Sequence, residues 1–172
     1  TTDGVLRIRP NKGLMLCLGA NRLSCDDLTV VLDELILTER TLLDGIRPAG
    51  MLPKAIMTVE NLGAFMDMPK PRELLLIHQP GWNTPLSLLF IETLGAEPPW
   101  YHFGDLDPEG ISIYQHLHRK GRKAVLFIPS FWEKYVDAHS RHLADAWPET
   151  IVDAFSQPLL RRLFAAGKWL EQ

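Results

Sequence analysis

An α/β fold with a parallel sheet is predicted by two observations. After Pro53, short apolar runs rich in β-forming residues alternate with segments of helical period, and acidic residues follow two of those runs. The 172 residues suffice for one well-cored unit and are few for two, so a single compact unit is expected. With 46% hydrophobic and 23% charged residues, the composition is that of a globular chain.

The elements follow in order. Residues 5–8 and 14–18 read as short strands joined by the turn-forming Pro10-Asn11-Lys12-Gly13, which predicts a hairpin. From Ser24, an N-cap with Asp27 three residues on, Leu28, Val31, Leu32, Leu35 and Ile36 form a helical stripe. Residues 1–50 are therefore expected as a hairpin-and-helix extension packed on a domain of residues 51–172, with Pro48 and Pro53 marking the loop between them. Residues 55–59, 73–78, 100–104 and 123–128 supply about four strands. Helices are predicted at 61–66, 84–94, 108–119, 130–146 and 158–164. The helix at 108–119 is the best marked: Pro108 suits its first position, Ile111, Tyr114, Gln115 and Leu117 give it a face, and Gly121 ends it.

Several classes are excluded. The apolar run at 86–94 is broken by Ser87, Glu92 and Thr93, so no membrane span is expected. No basic stretch leads an apolar one at the start, so no secretory signal is read. Cys17 and Cys25 have no zinc-ligand spacing and read as free thiols of a cytoplasmic protein. A formal net charge of −3 argues against gripping nucleic acid by bulk electrostatics. Neither a P-loop nor a G-x-G-x-x-G supports nucleotide binding.

Ligands of parallel sheets gather beyond the carboxyl ends of the strands. There, Ala55-Ile56-Met57-Thr58-Val59 is followed by Glu60-Asn61, and Trp100-Tyr101-His102-Phe103-Gly104 by Asp105-Leu106-Asp107. Carboxylates at i and i+2 of an extended segment point to one side and repel unless a cation bridges them, which suits a hard divalent metal. Glu60 either completes the site or acts as a base, and Glu109 is an additional candidate ligand. Taken alone, Asp107-Pro108-Glu109 is better read as a helix cap. The joint placement at strand ends, with a third junction at Pro80-Gly81-Trp82-Asn83, favours the metal reading.

Those residues resemble the Toprim family of topoisomerases, primases and nucleases, whose mark is a strand-end Glu followed by Asp-x-Asp after a later strand. Val59-Glu60-Asn61-Leu62, Gly81-Trp82 and His102-Phe103-Gly104-Asp105-Leu106-Asp107-Pro108-Glu109-Gly110 are similar, more closely, to the carboxy-terminal domain of the Wadjet D subunit, over about residues 50 to 130. Asn61 departs from the Gly that many Toprim proteins place after the glutamate. The resemblance implies a Toprim-like sheet, with Glu60, Asp105 and Asp107 holding Mg²⁺, or Mn²⁺ in its place. It further implies cleavage of closed circular plasmid DNA beside an SMC-like ATPase complex, by a homodimer carrying an additional amino-terminal region. Nothing resembles the winged-helix domain that supplies the catalytic tyrosine in topoisomerase VI relatives, and Tyr101, Tyr114 and Tyr135 read as packing residues.

Other features carry less. His116 and His118 diverge on a helix, whereas His139 and His142 would share a face without a third ligand. Arg119, Lys120, Arg122 and Lys123 suit either phosphate contact or a helix carboxyl end. Trp82 and Trp132 read as core. One rival is a phosphatase of the haloacid dehalogenase kind with Asp105 as nucleophile, in which Glu109 stands where that family has Thr or a similar residue. Another is a docking or dimerisation module whose acids serve only as caps.

Overall fold

The computed structural model describes residues 4–18, 21–24, 33–82, 84–120 and 123–172. Among them, the chain forms β1 (Val5–Arg9), β2 (Leu14–Leu18), β3 (Asn21–Ser24), β4 (Leu35–Thr38), α1 (Glu39–Leu43), β5 (Ile46–Gly50), β6 (Ala55–Val59) and α2 (Leu62–Asp67). There follow β7 (Leu74–His78), α3 (Thr84–Thr93), β8 (Trp100–Phe103), α4 (Pro108–Lys120) and β9 (Ala124–Leu126). The remainder comprises a 3-10 turn (Ser130–Lys134), α5 (Val136–His139), β10 (Arg141–His142), α6 (Glu149–Val152), α7 (Pro158–Ala166) and β11 (Lys168–Trp169).

The expected α/β architecture is present. A six-stranded sheet runs β4-β1-β7-β6-β8-β9. Its β7, β6, β8 and β9 are parallel, and β1 joins antiparallel to both β7 and β4. Alternation along the strands feeds two cores, as the period of a strand dictates. Ile56, Leu75, Ile77 and Trp100 face one core with Phe90, Ile91 and Leu94 around α3. Met57, Val59, Leu76 and Phe103 face the other, under Phe65 of α2 and Leu159, Leu160 and Leu163 of α7. Both faces are covered, so the β6 and β8 ends that carry the acids sit on a rigid platform. Among the described residues, no helix is long and apolar enough to cross a membrane.

Several pairings differ from the sequence expectation. An amino-terminal hairpin exists, but β2 pairs with β3 and β5 in a separate three-stranded sheet, while β1 belongs to the central one. Of the helix predicted from Ser24, residues 25–32 lie outside the described residues. Leu35 and Ile36 are strand instead, paired with Ile8 and Arg7; tertiary pairing overrides a helical stripe when a partner strand is at hand. Pro48 lies within β5 rather than in a loop, at the edge of its sheet, where a missing N–H can go without a ladder partner. The helix predicted at 130–146 is broken. Trp132 and Val136 keep its buried stripe, but α5 ends at the extended Ser140, and Arg141 and His142 then pair with Trp169 and Lys168. Gly121, assigned the end of α4, lies outside the described residues.

Arg9 ties the two ends of this architecture together. Buried at the end of β1, its Nη1 donates to the Phe65 and Met68 carbonyls, 2.8 Å each, at the carboxyl end of α2. Its Nε donates to Asp33 at 2.8 Å. The carbonyls that a short helix leaves unpaired are thereby satisfied, and α2 is the helix that begins beside Glu60.

Candidate metal centre

β6 and β8 are neighbours, and their carboxyl ends bring Glu60 and the Asp105-Leu106-Asp107 segment together. The parallel ladder continues one step beyond the strands, because the Glu60 N–H donates to the Phe103 carbonyl at 3.0 Å. Asn61 then opens α2: its backbone is extended at φ −81°, ψ 128°, and its Oδ1 accepts from the Ala64 N–H. A non-glycine residue after the glutamate is thus accommodated as an N-cap. Asp107 caps α4 in the same way, its Oδ1 accepting from the Gly110 N–H at 2.6 Å. A Cβ at Gly110 would overlap the Asp105 carbonyl, so this helix start fits against the loop only with glycine there.

Each aspartate oxygen bound so far faces an N–H. Asp105 Oδ1 accepts from the Gln172 backbone N–H at 2.6 Å, and Glu109 Oε1 accepts from Trp82 Nε1 at 3.1 Å. Glu60 differs, since its Oε2 is buried with no hydrogen-bond partner among the described residues. Burial first, then the negative charges of Asp105 and Asp107 and a smaller contribution from Glu109, together push the Glu60 carboxyl up to about 7. The Asp105 backbone N–H offsets part of this. Burial also raises Asp105, against the Gln172 hydrogen bond that lowers it, with Asp107 and Glu171 adding to the rise.

Gly104 lies between the two junctions. A Cβ there would stand 2.5 Å from Glu60 Oε2 and 2.9 Å from His102 Nε2, so the bare backbone makes room for both. His102 is fully buried, its Nδ1 lies 3.0 Å from Thr58 Oγ1, and its Nε2 has no partner among the described residues. Trp100 Nε1 donates to the same Thr58 oxygen at 3.0 Å. Burial alone holds His102 down to about 4, so the ring is neutral.

A hard divalent cation fits this donor set. Glu60, Asp105, Asp107 and Glu109 are hard oxygen donors, and none of the four forms an ion pair with Lys or Arg among the described residues. The Glu60 Oε2 has no hydrogen-bond partner among the described residues, and a buried carboxylate needs a proton, a donor or a cation there. Asp105, Asp107 and Glu109 are near enough to raise the proton affinity of Glu60, yet among the described residues no three His, Cys, Asp or Glu side chains already converge on one point. Asp105 and Asp107 each turn one oxygen to a backbone N–H.

The remaining candidates separate cleanly. His118 Nδ1 meets the Ala124 carbonyl at 2.8 Å, and His116 packs edge-on to Trp82. His139 and His142 sit on α5 and β10, not on one helix. Arg119 and Lys123 are exposed, while residues 121 and 122 are outside the described set. Trp132 is core as expected, but Trp82 is 50% exposed, held at the rim by Glu109 rather than packed inside. Tyr101 and Tyr114 pack, with Tyr114 Oη donating to the Ala124 carbonyl, whereas Tyr135 is half exposed between Phe131 and His139. Gln172 was invisible to sequence reasoning, because nothing in Leu170-Glu171-Gln172 marks a return to a site more than sixty positions earlier.

No curated protein matches the chain. A family model described as "Wadjet protein JetD, C-terminal" matches residues 25–153, a span that includes Glu60, Asp105, Asp107 and Glu109. The chain therefore belongs to the family of the C-terminal region of the Wadjet protein JetD.

Proposed function

We propose that this chain is the DNA-cleaving part of an anti-plasmid defence complex, a metal-dependent endonuclease with Toprim-type chemistry. Glu60, Asp105 and Asp107, with Glu109 beside them, would hold Mg²⁺, or Mn²⁺ in its place, against a DNA phosphate. Family membership supports the defence role. The observation that carries the chemistry is the buried, partnerless Glu60 oxygen beside two aspartates with no basic side chain paired to any of them. A bound divalent ion supplies Lewis-acid stabilisation of charge on the scissile phosphate and lowers the pKa of bound water.

The protein's own groups do the rest. Backbone N–H donors fix Asp105 and Asp107 in orientation, as outer-shell hydrogen bonds do for ligating carboxylates. Glu60, with a proton affinity near neutrality, is suited to accept a proton from the attacking hydroxyl or water. The exposed Trp82 ring at the rim offers a stacking face for a base or sugar. With a net charge of −3, the domain leaves the grip on DNA to other surfaces, an SMC-like ATPase complex and a second copy in a homodimer.

Nicking of closed circular DNA by the full-length protein tests this. Cleavage should require Mg²⁺ or Mn²⁺, stop with chelator, and fall about 100-fold or more in Glu60→Ala and in Asp105→Ala. Undiminished cleavage in both variants would overturn the reading.

A further inference from the structure

The segment Lys168–Gln172 returns across the acidic site, and its last residue makes contacts that no capping or metal motif in the sequence announces. Gln172 Oε1 accepts from the Asn61 N–H at 2.8 Å, and its Nε2 donates to the Phe103 carbonyl at 3.2 Å. Its backbone N–H donates to Asp105 Oδ1 at 2.6 Å. One residue thus binds the position after Glu60, the end of β8 and a candidate ligand. Both ends of its amide are used, so the orientation of the side chain is fixed by its partners.

We propose that Gln172 is a positioning residue of the acidic site, clamping the Glu60 and Asp105 junctions at the separation and orientation a divalent cation requires. The inference rests on the metal reading above and deepens it. Phe103 O already accepts from the Glu60 N–H, so the Gln172 amide adds a second donor at the point where the two strand ends part. Bonding one Asp105 oxygen restricts rotation of the carboxylate. The backbone N–H bond to Asp105 survives substitution, so side-chain variants remove the two bonds to Asn61 and Phe103 that tie the junctions together; loss of outer-shell hydrogen bonds weakens metal binding about 10- to 100-fold.

The segment holds its place without the Gln172 side chain. Leu106 and Leu170 exchange backbone hydrogen bonds of 2.9 and 3.2 Å, Leu170 is buried, β11 pairs with β10, and Trp147 Nε1 donates to the Lys168 carbonyl at 2.8 Å. Gln172→Ala should therefore fold and melt close to the parent. Gln172→Glu keeps the acceptor for Asn61 but sets a carboxylate against the Phe103 carbonyl.

Mn²⁺ titration of the full-length protein by calorimetry, with thermal melting alongside, tests the clamp. Gln172→Ala should bind Mn²⁺ about tenfold or more weakly with melting within about 2 °C of the parent, Gln172→Glu at least as weakly, and nicking by both should recover at high Mg²⁺. Gln172→Ala binding Mn²⁺ within twofold of the parent, while Asp105→Ala abolishes binding, would overturn the clamp and leave the metal site standing. Mn²⁺ binding that survives both Glu60→Ala and Asp105→Ala would remove the site and the clamp together.

Discussion

Glu60 ends β6 with one oxygen buried and unpartnered, and that position governs how the metal-free protein responds to pH. Its folded value of about 7 lies above the ordinary 4.5, so the native state holds the proton more tightly than the unfolded chain. The sign follows: this contribution is complete below about pH 4.5 and is lost as pH rises to about 7. His102, held down to about 4 by burial, acts in the opposite sense and costs stability as pH falls below its ordinary 6.5. The difference between parent and Glu60→Gln isolates the carboxylate. Without metal, the Gln variant should be the more stable at pH 8 by roughly 1–2 kcal/mol, a figure discounted for solvent screening of a part-exposed group. The gap should close toward pH 4.5, as read by urea unfolding; a gap that stays constant from pH 4.5 to 8 would contradict the assignment.

At the scale of the element, Asp107 is both the cap of α4 and a candidate ligand, and one substitution separates the roles. Asn caps as well as Asp, so Asp107→Asn should melt close to the parent yet lose most metal-dependent cleavage, whereas Asp107→Ala should lose about 1 kcal/mol of stability as well. Full cleavage in Asp107→Asn would make Asp107 a cap only and remove it from the ligand set. Arg9→Met removes the donors of two carbonyls at the end of α2 and the partner of the exposed Asp33, and should cost roughly 2–4 kcal/mol in denaturant unfolding. The parallel strands and α4 were legible because local period, proline and cap all agree there. β4, β5 and β10 were not, since Leu35, Pro48 and Arg141 become strand only through partners distant in sequence. Asp105, Asp107 and Glu60 could be named from strand ends, while Gln172, His102 and the rim position of Trp82 depend on tertiary contacts that no local pattern encodes.

For the molecule as a whole, a sheet covered on both faces holds two strand ends side by side, and under the proposed function a net charge of −3 leaves DNA capture to partners. Under the proposed function, the acids on those two ends share one cation. Soaking crystals of the protein in Mn²⁺ and collecting anomalous diffraction addresses it most directly. A single strong peak, or a close pair, within about 2.0–2.3 Å of carboxylate oxygens from both Glu60 and Asp105 is the expected result. Saturating Mn²⁺ that leaves Glu60 Oε2 without a neighbour, or that binds only elsewhere on the chain, would contradict it.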